Sequence, residues 1–502
     1  MPTIDRRRFL STAGASVVLV ACGGCDSGGG TGNQGDPDMR VVDPEAPTLG
    51  TGTPGTCSQS AVGMDFPLCI DLTQSDLPTN TPIYAYIVGL VQVDADHQYQ
   101  YWLDPKDGLP KKMAVTDNQQ KARTFPDSDQ LSTADQAIIA NNYPMDWADF
   151  SIPLSMGCQN YIDLGTISPN NIPGLGTGIS AFSGRIYFSI GVPRLPFVVL
   201  ENSNPNAAEP ITYSAPSVSG YPGMATLFDW IEFSYDTDRL FYGNTTQVDQ
   251  YGFSLILDGA PGGATQGKQL FSRAEIFNKV KTLPSNFSHF IKVQAPSAFP
   301  AALSDKDGFV MLRALSPVIY TDLEQALQEG TINDYFDAEV LTWYKRWETQ
   351  PLLTYEPSSG YYCGRVESGV LTFYQGETPT GTPAFKITSA NGPDGRISSH
   401  DIWACAGGLA SGDSNAKNTQ KSIAAAFQRG VMSYTLNTDT CVNEASRFYQ
   451  AAPYNPWAKL FHEISDNGLS YAFPYDDLCD QSTTMVLRSA QNVTITLPRF
   501  FS

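Results

Sequence analysis

The sequence predicts a β-rich α+β protein in which a mixed α/β lobe is inserted between β segments. The chain has 502 residues, which is long for one domain, because single hydrophobic cores stop growing at roughly 250–300 residues. Short runs of β-branched and aromatic residues, separated by Gly, Pro, Asn and Asp, fill its first half. After Gly267 the apolar spacing becomes helical, and a strand-like run, NVTITLPRF, returns at the C-terminus. These changes of pattern predict two lobes.

The β lobe is expected to span residues 66–265. Its strand candidates, in chain order, are IYAYIVGLVQV, RIYFSIGV, PFVVLE, WIEFSY and FSLIL. Each run is short, is rich in residues that favour strands, and is bounded by turn-forming residues at a spacing typical of sandwiches. Aromatic residues make up 11% of the chain and charged residues 16%. This composition suits a β-rich globular body and excludes a disordered chain.

The mixed α/β lobe is expected over residues 266–465, and residues 466–502 return to the β lobe. Its first helix candidate, SRAEIFNKVKTL, opens with Ser272 and Glu275 in capping-box spacing, and TDLEQALQEG at 321–330 repeats the device. Later candidates are the helices NDYFDAEVLTWYKRW, QKSIAAAFQRGV and NPWAKLFHEI and the strand pair RVESGVLTFY. Alternating helices and strands of this kind predict a layered α/β lobe.

The N-terminus predicts export. In DRRRFLSTAGASVVLVAC, paired arginines precede a mildly apolar run, which is the order of a twin-arginine signal peptide. The run is too short to span a bilayer. Its end resembles a lipoprotein box, in which residues 1–21 are removed and Cys22 is lipidated. A flexible Gly/Pro/Asp-rich tether follows over residues 22–65. We therefore expect a protein anchored to the cell envelope by a lipid on Cys22, either periplasmic or on the cell surface.

Charge and composition exclude several classes of function. The formal net charge is −20, the opposite of the basic footprint of a nucleic-acid-binding protein, so no nucleic acid is expected as partner. The four histidines lack the spacing of metal ligands, and neither a metal nor a cofactor is expected. If Cys22 is lipidated, eight of the nine cysteines remain, an even number that predicts disulfides, although the pairing stays open.

Two carboxylates occur in strand-like surroundings within DWIEFSYDTDRLFYGNTTQVDQYGF. Alternation in the first segment places Ile231, Phe233 and Tyr235 on a core face, and Trp230, Glu232 and Ser234 on the opposite face. A face that combines an aromatic ring, a carboxylate and a hydroxyl suits sugar binding, because rings stack on pyranoses and polar groups bind their rims. In the second segment Asp249 alternates with Val248. If the two segments pair as neighbouring strands, both acids can face one groove.

The chain resembles the β-1,3-glucanases of glycoside hydrolase family 64 over roughly residues 65–502. The resemblance is most specific in WIEFSYDTDRLFYGNTTQVDQYGFSL, and YAFPYDD near the C-terminus is similar to a segment of the related thaumatin-like proteins. It implies a thaumatin-like β-barrel or sandwich lobe and a mixed α/β lobe that flank a wide open groove. It also implies inverting hydrolysis with Glu232 as general acid and Asp249 as general base. The positions expected to contact sugar are Trp230, Ser234, Asp236, Tyr242 and Thr246.

The expected function is hydrolysis of β-1,3-glucan with release of oligosaccharides, by a monomer. Inversion requires the two carboxyls to lie about 6.5–9.5 Å apart, which leaves room for a water molecule. Burial beside Trp230 and Phe233 is expected to raise the pKa of Glu232 and keep it protonated. Two alternatives remain: a thaumatin-like surface lipoprotein that binds glucan without cutting it, and a structural surface lipoprotein that contacts other proteins.

Overall fold

The computed structural model describes residues 57, 60–93, 97–124, 132–133, 136, 142–168, 171–172, 181–202, 204, 209–214, 222–260, 265–294, 299, 301–305, 307–319, 332–356, 360–412, 414–432, 445–488 and 492–501. The signal peptide, Cys22, most of the tether and the helix predicted over 321–330 lie outside these residues. Within the described ranges, no helix combines the length and the apolar character needed to cross a membrane.

The strands of the described chain are β1 (Pro67–Asp71), β2 (Ile83–Gln92), β3 (Gln98–Asp104), β4 (Leu109–Lys112), β5 (Ile152–Leu154), β6 (Gln159–Asp163), β7 (Ala181–Ile190), β8 (Val198–Glu201), β9 (Ile211–Ser214), β10 (Leu227–Asp236), β11 (Leu240–Thr245), β12 (Gln250–Tyr251), β13 (Ile256–Ala260), β14 (Thr265–Gln266), β15 (His289–Gln294), β16 (Phe309–Leu315), β17 (Leu352–Glu356), β18 (Gly360–Glu367), β19 (Val370–Gln375), β20 (Phe385–Ile387), β21 (Met485–Arg488) and β22 (Asn492–Thr496). The helices are α1 (Arg273–Lys281), α2 (Asp337–Thr349), α3 (Ser399–Ala404), α4 (Ser414–Gln428) and α5 (Pro456–Ile464).

Two large sheets form a sandwich. The first has the strand order β14, β13, β22, β1, β6, and the second has the order β21, β11, β10, β7, β2, β3, β4, with β5 beside β2. The predicted core face of β10 is confirmed, because Ile231, Phe233 and Tyr235 are at most 5% exposed. The Tyr235 ring stacks on that of Phe66, with 5.2 Å between centroids. Neither sheet closes on itself among the described residues, since their outermost strands do not pair. The barrel alternative is therefore wrong for this part of the chain.

The two ends of the folded chain meet in the middle of the first sheet. There β1 pairs in parallel with β22, Leu68 lying opposite Val493, and in antiparallel with β6. On its other side β22 pairs with β13. A disulfide between Cys57 and Cys158 ties the segment before β1 to the start of β6. The strand-like run at the C-terminus thus completes the β lobe.

The prediction that the cysteines form disulfides is confirmed for only some of the described cysteines. Besides the bridge between Cys57 and Cys158, Cys479 is also disulfide-bonded. Cys69, Cys363 and Cys405 are buried free thiols. All three are at most 6% exposed, so they pack as small apolar side chains, which is how buried free cysteines usually behave.

A second core lies among the helices and two small sheets, whose strand orders are β12, β16, β15 and β17, β18, β19, β20. The predicted capping box of α1 is confirmed: the Glu275 carboxylate accepts the Ser272 N–H at 2.9 Å, and the Ser272 hydroxyl accepts the Glu275 N–H. Helix α2 begins at Asp337, later than its pattern suggested. Strand β12 follows β11 along the chain but pairs with β16, so the segment 246–249 leaves the sandwich and enters the second lobe.

Candidate active site

Glu232 lies near the centre of the eight-stranded sheet, on the face that points away from the sandwich core. In register it stands opposite Asn244 of β11 and Arg185 of β7. Antiparallel partners place their side chains on the same face, so these three polar groups lie side by side. The Glu232 side chain is 13% exposed. The strand therefore presents a largely buried carboxylate that still reaches the protein surface.

Asp249 does not lie on a neighbouring strand of this sheet, contrary to the pairing considered from the sequence. It lies in the bend between β11 and β12, where the chain crosses to the second lobe. Its carbonyl oxygen accepts the N–H of Ser316 at 3.1 Å, and its side chain is 18% exposed. Because the chain crosses here to pair with β16, Asp249 does not follow the side-chain alternation of a sandwich strand. The hydrogen bond from Ser316 instead fixes its backbone.

Arg185 brings the two acids together. Its Nη2 atom lies 3.2 Å from Glu232 Oε1 and 3.6 Å from Asp249 Oδ2. The guanidinium is itself held in place, because it stacks over the Trp230 ring at 4.7 Å and its Nη1 donates to the Tyr187 hydroxyl at 3.3 Å. Arg185 was not among the site residues expected from the sequence. A positively charged residue within the strand run RIYFSIGV could have indicated a role for Arg185. The sequence alone, however, does not show that this residue lies opposite Glu232 in the sheet.

Burial and neighbouring charges shift the pKa values of both Glu232 and Arg185. Burial raises the pKa of Glu232, the direction expected from the sequence; Arg185 acts to lower this pKa and Asp249 to raise it. Burial acts to lower the pKa of Arg185, but Tyr187, Glu232 and Asp249 hold it well above its ordinary value. The guanidinium therefore stays charged, and Glu232 retains its proton to higher pH than a solvated glutamate.

Trp230 is not open to solvent as a stacking platform. Its side chain lies on the same strand face as Glu232, but it is only 3% exposed. Arg185 covers the ring from above, and Tyr187 and Phe228 pack against it with centroids 5.6 and 5.9 Å away. Trp230 supports the Arg185 guanidinium that contacts both acids. Because Arg185 covers the ring, a sugar on this face would contact Arg185 and not Trp230.

The other predicted sugar-contacting residues divide into two groups. Ser234 and Tyr242 face each other across β10 and β11, on the face of Glu232, and both are partly exposed. Asp236 accepts the Leu240 N–H at 2.8 Å and so shapes the turn between the two strands. Thr246 is 3% exposed and its hydroxyl accepts the Val248 N–H at 3.3 Å. The structure thus brings Ser234 and Tyr242 to the acids' surface, whereas Asp236 and Thr246 are engaged in turns.

A C-terminal segment packs against the approach to Asp249. The Gln247 N–H donates to the Tyr471 carbonyl at 2.7 Å, and Trp457 Nε1 donates to the Gln247 carbonyl at 2.9 Å. Tyr471 also lies close to Glu232: burial, together with the charges of Asp477 and Glu232, raises the pKa of the Tyr471 hydroxyl well above its ordinary value. The second lobe therefore flanks the acids on this side.

A buried charge network holds that segment. The Asp476 carboxylate is fully buried and accepts from Arg429 Nη2 at 2.9 Å, His462 Nε2 at 3.0 Å and the Ala472 N–H at 3.1 Å. His462 Nδ1 lies 2.8 Å from the Gly468 carbonyl oxygen. Burial acts to lower the pKa of His462, but Asp476 and the Gly468 carbonyl raise it above its ordinary value. Both ring nitrogens then act as donors, as in a protonated imidazole.

The described residues contain no cluster of three or more His, Cys, Asp or Glu side chains placed to hold a metal ion. The charged groups that converge at this surface are the two carboxyls of Glu232 and Asp249 and the guanidinium of Arg185. One carboxyl with a raised pKa and a second one beside it can together donate and accept protons.

The family model of glycoside hydrolase family 64, described as β-1,3-glucanase, matches residues 71–497. A glucan endo-1,3-β-glucosidase of Cellulosimicrobium cellulans is 23% identical over 299 residues, which cover 59% of this chain and 48% of the relative. A protein of the same description from Arthrobacter sp. (strain YCWD3) gives the same figures. The chain thus spans about half the length of the curated relatives it matches.

Two solved structures share the fold. A β-1,3-glucanase domain from Clostridium beijerinckii superposes with a TM-score of 0.60 at 21% identity, covering 86% of this chain and 98% of that one. A laminaripentaose-producing β-1,3-glucanase in complex with laminaritetraose superposes with a TM-score of 0.58 at 20% identity, covering 87% and 99%. At this level of identity the likeness concerns the architecture of the chain.

Proposed function

This chain belongs to glycoside hydrolase family 64, the β-1,3-glucanase family, and we propose that it hydrolyses β-1,3-glucan on the face of the sandwich that carries Glu232. The observation that supports this most directly is the convergence of Glu232 and Asp249 on one nitrogen of Arg185. Glycoside hydrolysis needs such a pair, one carboxyl protonated and the other ionised. The relative bound to laminaritetraose indicates the class of ligand.

In the proposed reaction Glu232 is the general acid. Its raised pKa favours the protonated form, which can donate to the glycosidic oxygen as the bond from that oxygen to the anomeric carbon breaks. Asp249, as a carboxylate paired with Arg185, takes a proton from the water that forms the new bond to the anomeric carbon. One proton is delivered and one is removed, so the reaction consumes one water for each bond cut. The glucan chain would cross the strands past Ser234 and Tyr242.

The stereochemical outcome is proposed to be inversion. Arg185 Nη2 lies 3.2 Å from Glu232 Oε1 and 3.6 Å from Asp249 Oδ2, so these two oxygens are at most about 7 Å apart. This upper bound allows the roughly 5–5.5 Å carboxyl spacing of retaining glycosidases. It also allows the lower end of the roughly 6.5–9.5 Å range of inverting ones. The anomer of the first product decides between them. Proton NMR during digestion of laminarin should show the α-anomer appearing first, and a β-anomer would rule out inversion.

Replacement of Asp249 by Asn tests the proposed base. The amide has nearly the same shape but cannot accept the proton of water, so we expect the release of reducing sugar from laminarin to fall by about 10²–10⁴-fold. Asp307→Asn, at an exposed aspartate in the turn before β16, is the matched control and should keep wild-type activity. Equal activity in wild type and Asp249→Asn would contradict the assignment. Retention of the wild-type protein on insoluble β-1,3-glucan without any release of sugar would favour a binding protein instead.

Arg185→Met should move the pH dependence of the reaction. Arg185 lowers the pKa of Glu232, so without the guanidinium this pKa rises and the acid stays protonated to higher pH. The alkaline limb of the profile of kcat against pH is therefore expected to shift upward, while the maximal kcat falls because the acids lose their shared partner. Arg185→Lys keeps a positive charge and should show a smaller shift. An alkaline limb that stays in place, or moves downward, would contradict this role.

A further inference from the structure

Asp229 is a carboxylate within the packed core side of β10, three positions before Glu232. It is 3% exposed, and aspartate is rarely buried to this degree unless its charge is compensated. Its position in the strand puts its side chain on the face opposite Glu232. No role of Asp229 follows from the reaction as proposed, because a group on the core face cannot touch a sugar on the outer face.

Two of the three backbone N–H groups that donate to Asp229 belong to the segment after Asp249. Its Oδ2 accepts the backbone N–H groups of Gly252 at 2.7 Å and Phe253 at 3.3 Å. Its Oδ1 accepts the N–H of Trp230 at 2.8 Å, within its own strand. One side chain thus joins the strand that carries the proposed acid to the segment that carries the proposed base.

The joint is closely fitted. Gln250 Nε2 donates to the Phe228 carbonyl at 2.8 Å, so β12 touches β10 at a second point. A Cβ at Gly252 would come within 2.5 Å of the Phe228 carbonyl oxygen, so only glycine allows this approach without a shift of the backbone. From the other side, Arg273 Nε donates to the Gly252 carbonyl at 2.6 Å. The backbone around residue 252 is therefore held on both sides.

We propose that Asp229 is a positioning residue, whose carboxylate ties the backbone of residues 252–253 to β10 and thereby sets the place of Asp249 relative to Glu232. This inference rests on the proposed function. Its physical basis is that catalysis by two groups depends on their separation: a misplacement of about 1 Å can reduce the rate by about 10²-fold. The carboxylate fits this task because it offers acceptors to three N–H groups, whereas an amide offers one oxygen and places a donor against the remaining N–H.

The surroundings of Asp229 shift its pKa in opposite directions. Burial raises its pKa to about 7, while the N–H groups of Gly252, Trp230 and Phe253 and the charge of Arg313 act to lower it. The Arg313 guanidinium is itself fully buried and donates to backbone carbonyls of the segment before β10. Asp229 is thus held by hydrogen bonds among buried groups on the core side of β10.

The test is a double-mutant cycle between Asp229→Asn and Asp249→Asn, measured on laminarin with the full-length protein. If Asp229 acts through Asp249, Asp229→Asn alone should lower kcat by tenfold or more with KM within about twofold of wild type, since no sugar contact is lost. Added to Asp249→Asn, it should have no further effect, because the group that it positions is already inactive. Gly252→Ala disturbs the same joint from the loop side and should reproduce the loss in kcat.

Three results would overturn the inference. The first is wild-type kcat in a folded Asp229→Asn protein. The second is an undiminished loss on the Asp249→Asn background, which would mean that Asp229 supports the fold or Glu232 instead. If Asp229→Asn does not fold, wild-type kcat in Gly252→Ala decides against the role. Full activity of Asp249→Asn alone is a different failure: it removes the proposed base, and the positioning role falls with it.

Discussion

Replacing Glu232 with Gln is expected to lower kcat on laminarin by about 10²–10⁴-fold, the usual contribution of a general acid. The amide is nearly isosteric and its oxygen can still accept from Arg185 Nη2, which lies 3.2 Å from Oε1 in the wild type. The protein should therefore fold and bind glucan as before. What is lost is the proton that the leaving oxygen needs. Kinetics on laminarin, with KM determined separately from kcat, measure the effect.

The leaving group distinguishes loss of an acid from general damage to the site. The test substrate is an aryl β-glycoside of a β-1,3-gluco-oligosaccharide with an acidic phenol as leaving group. The departing phenolate oxygen needs little protonation, so Glu232→Gln should lose much less activity on this substrate than on laminarin. Asp249→Asn should lose activity on both, because each reaction still needs an activated water. Equal losses on the two substrates in Glu232→Gln would contradict its role as the acid.

Asp476→Ala is expected to lower the free energy of unfolding by about 3–5 kcal/mol, because removal of one member of a buried ion pair leaves its partners charged and unpaired. Those partners are Arg429 and His462, whose side chains are 3% and 10% exposed. Urea unfolding monitored by tryptophan fluorescence measures the change. Asp466→Ala removes the solvent-exposed partner of Lys268 and should cost less than about 1 kcal/mol. Similar costs for the two variants would contradict the importance of the buried network.

The same network has a defined pH dependence. The pKa of His462 is raised in the folded protein above its ordinary value of 6.5. A raised pKa means that the folded state binds the proton more tightly, so the stabilisation from the pair with Asp476 is complete below pH 6.5 and is lost as pH rises through the folded value. The difference in stability between wild type and His462→Gln should accordingly shrink on the alkaline side. A difference that grows with pH would show that the imidazole is neutral in the fold.

Local patterns in the sequence predicted some elements well and others poorly, for identifiable reasons. Alternation assigned Ile231 and Tyr235 to the core because a strand's period is fixed by its backbone. The capping box at Ser272 is also a local device, and it forms. By contrast, the burial of Trp230 depends on Arg185 and Tyr187, which come from a different strand. No local pattern specifies that register.

The candidate site shows the same division. Glu232 and Asp249 could be selected from the sequence through a family resemblance. The sequence could not show that both acids contact one nitrogen of Arg185, because that contact depends on the tertiary structure. Asp249 was assigned to a strand by alternation with Val248, and it lies in a bend because β12 pairs with β16 across the lobe boundary. No local pattern singled out Asp229, because its hydrogen bonds to Gly252 and Phe253 arise only in the folded chain.

The parallel pairing of β1 with β22 has a consequence for how the molecule reaches its fold. The strand at the centre of the first sheet gains one of its two neighbours only from β22, which lies far downstream in the sequence. A growing polypeptide cannot complete that sheet until β22 has been synthesised, and pairings between distant segments slow folding because closing a long loop costs entropy before any contact repays it. The edge of β1 stays available to other chains during this interval. Synthesis of β22 is thus the step after which the central strand of this sheet can pair on both sides.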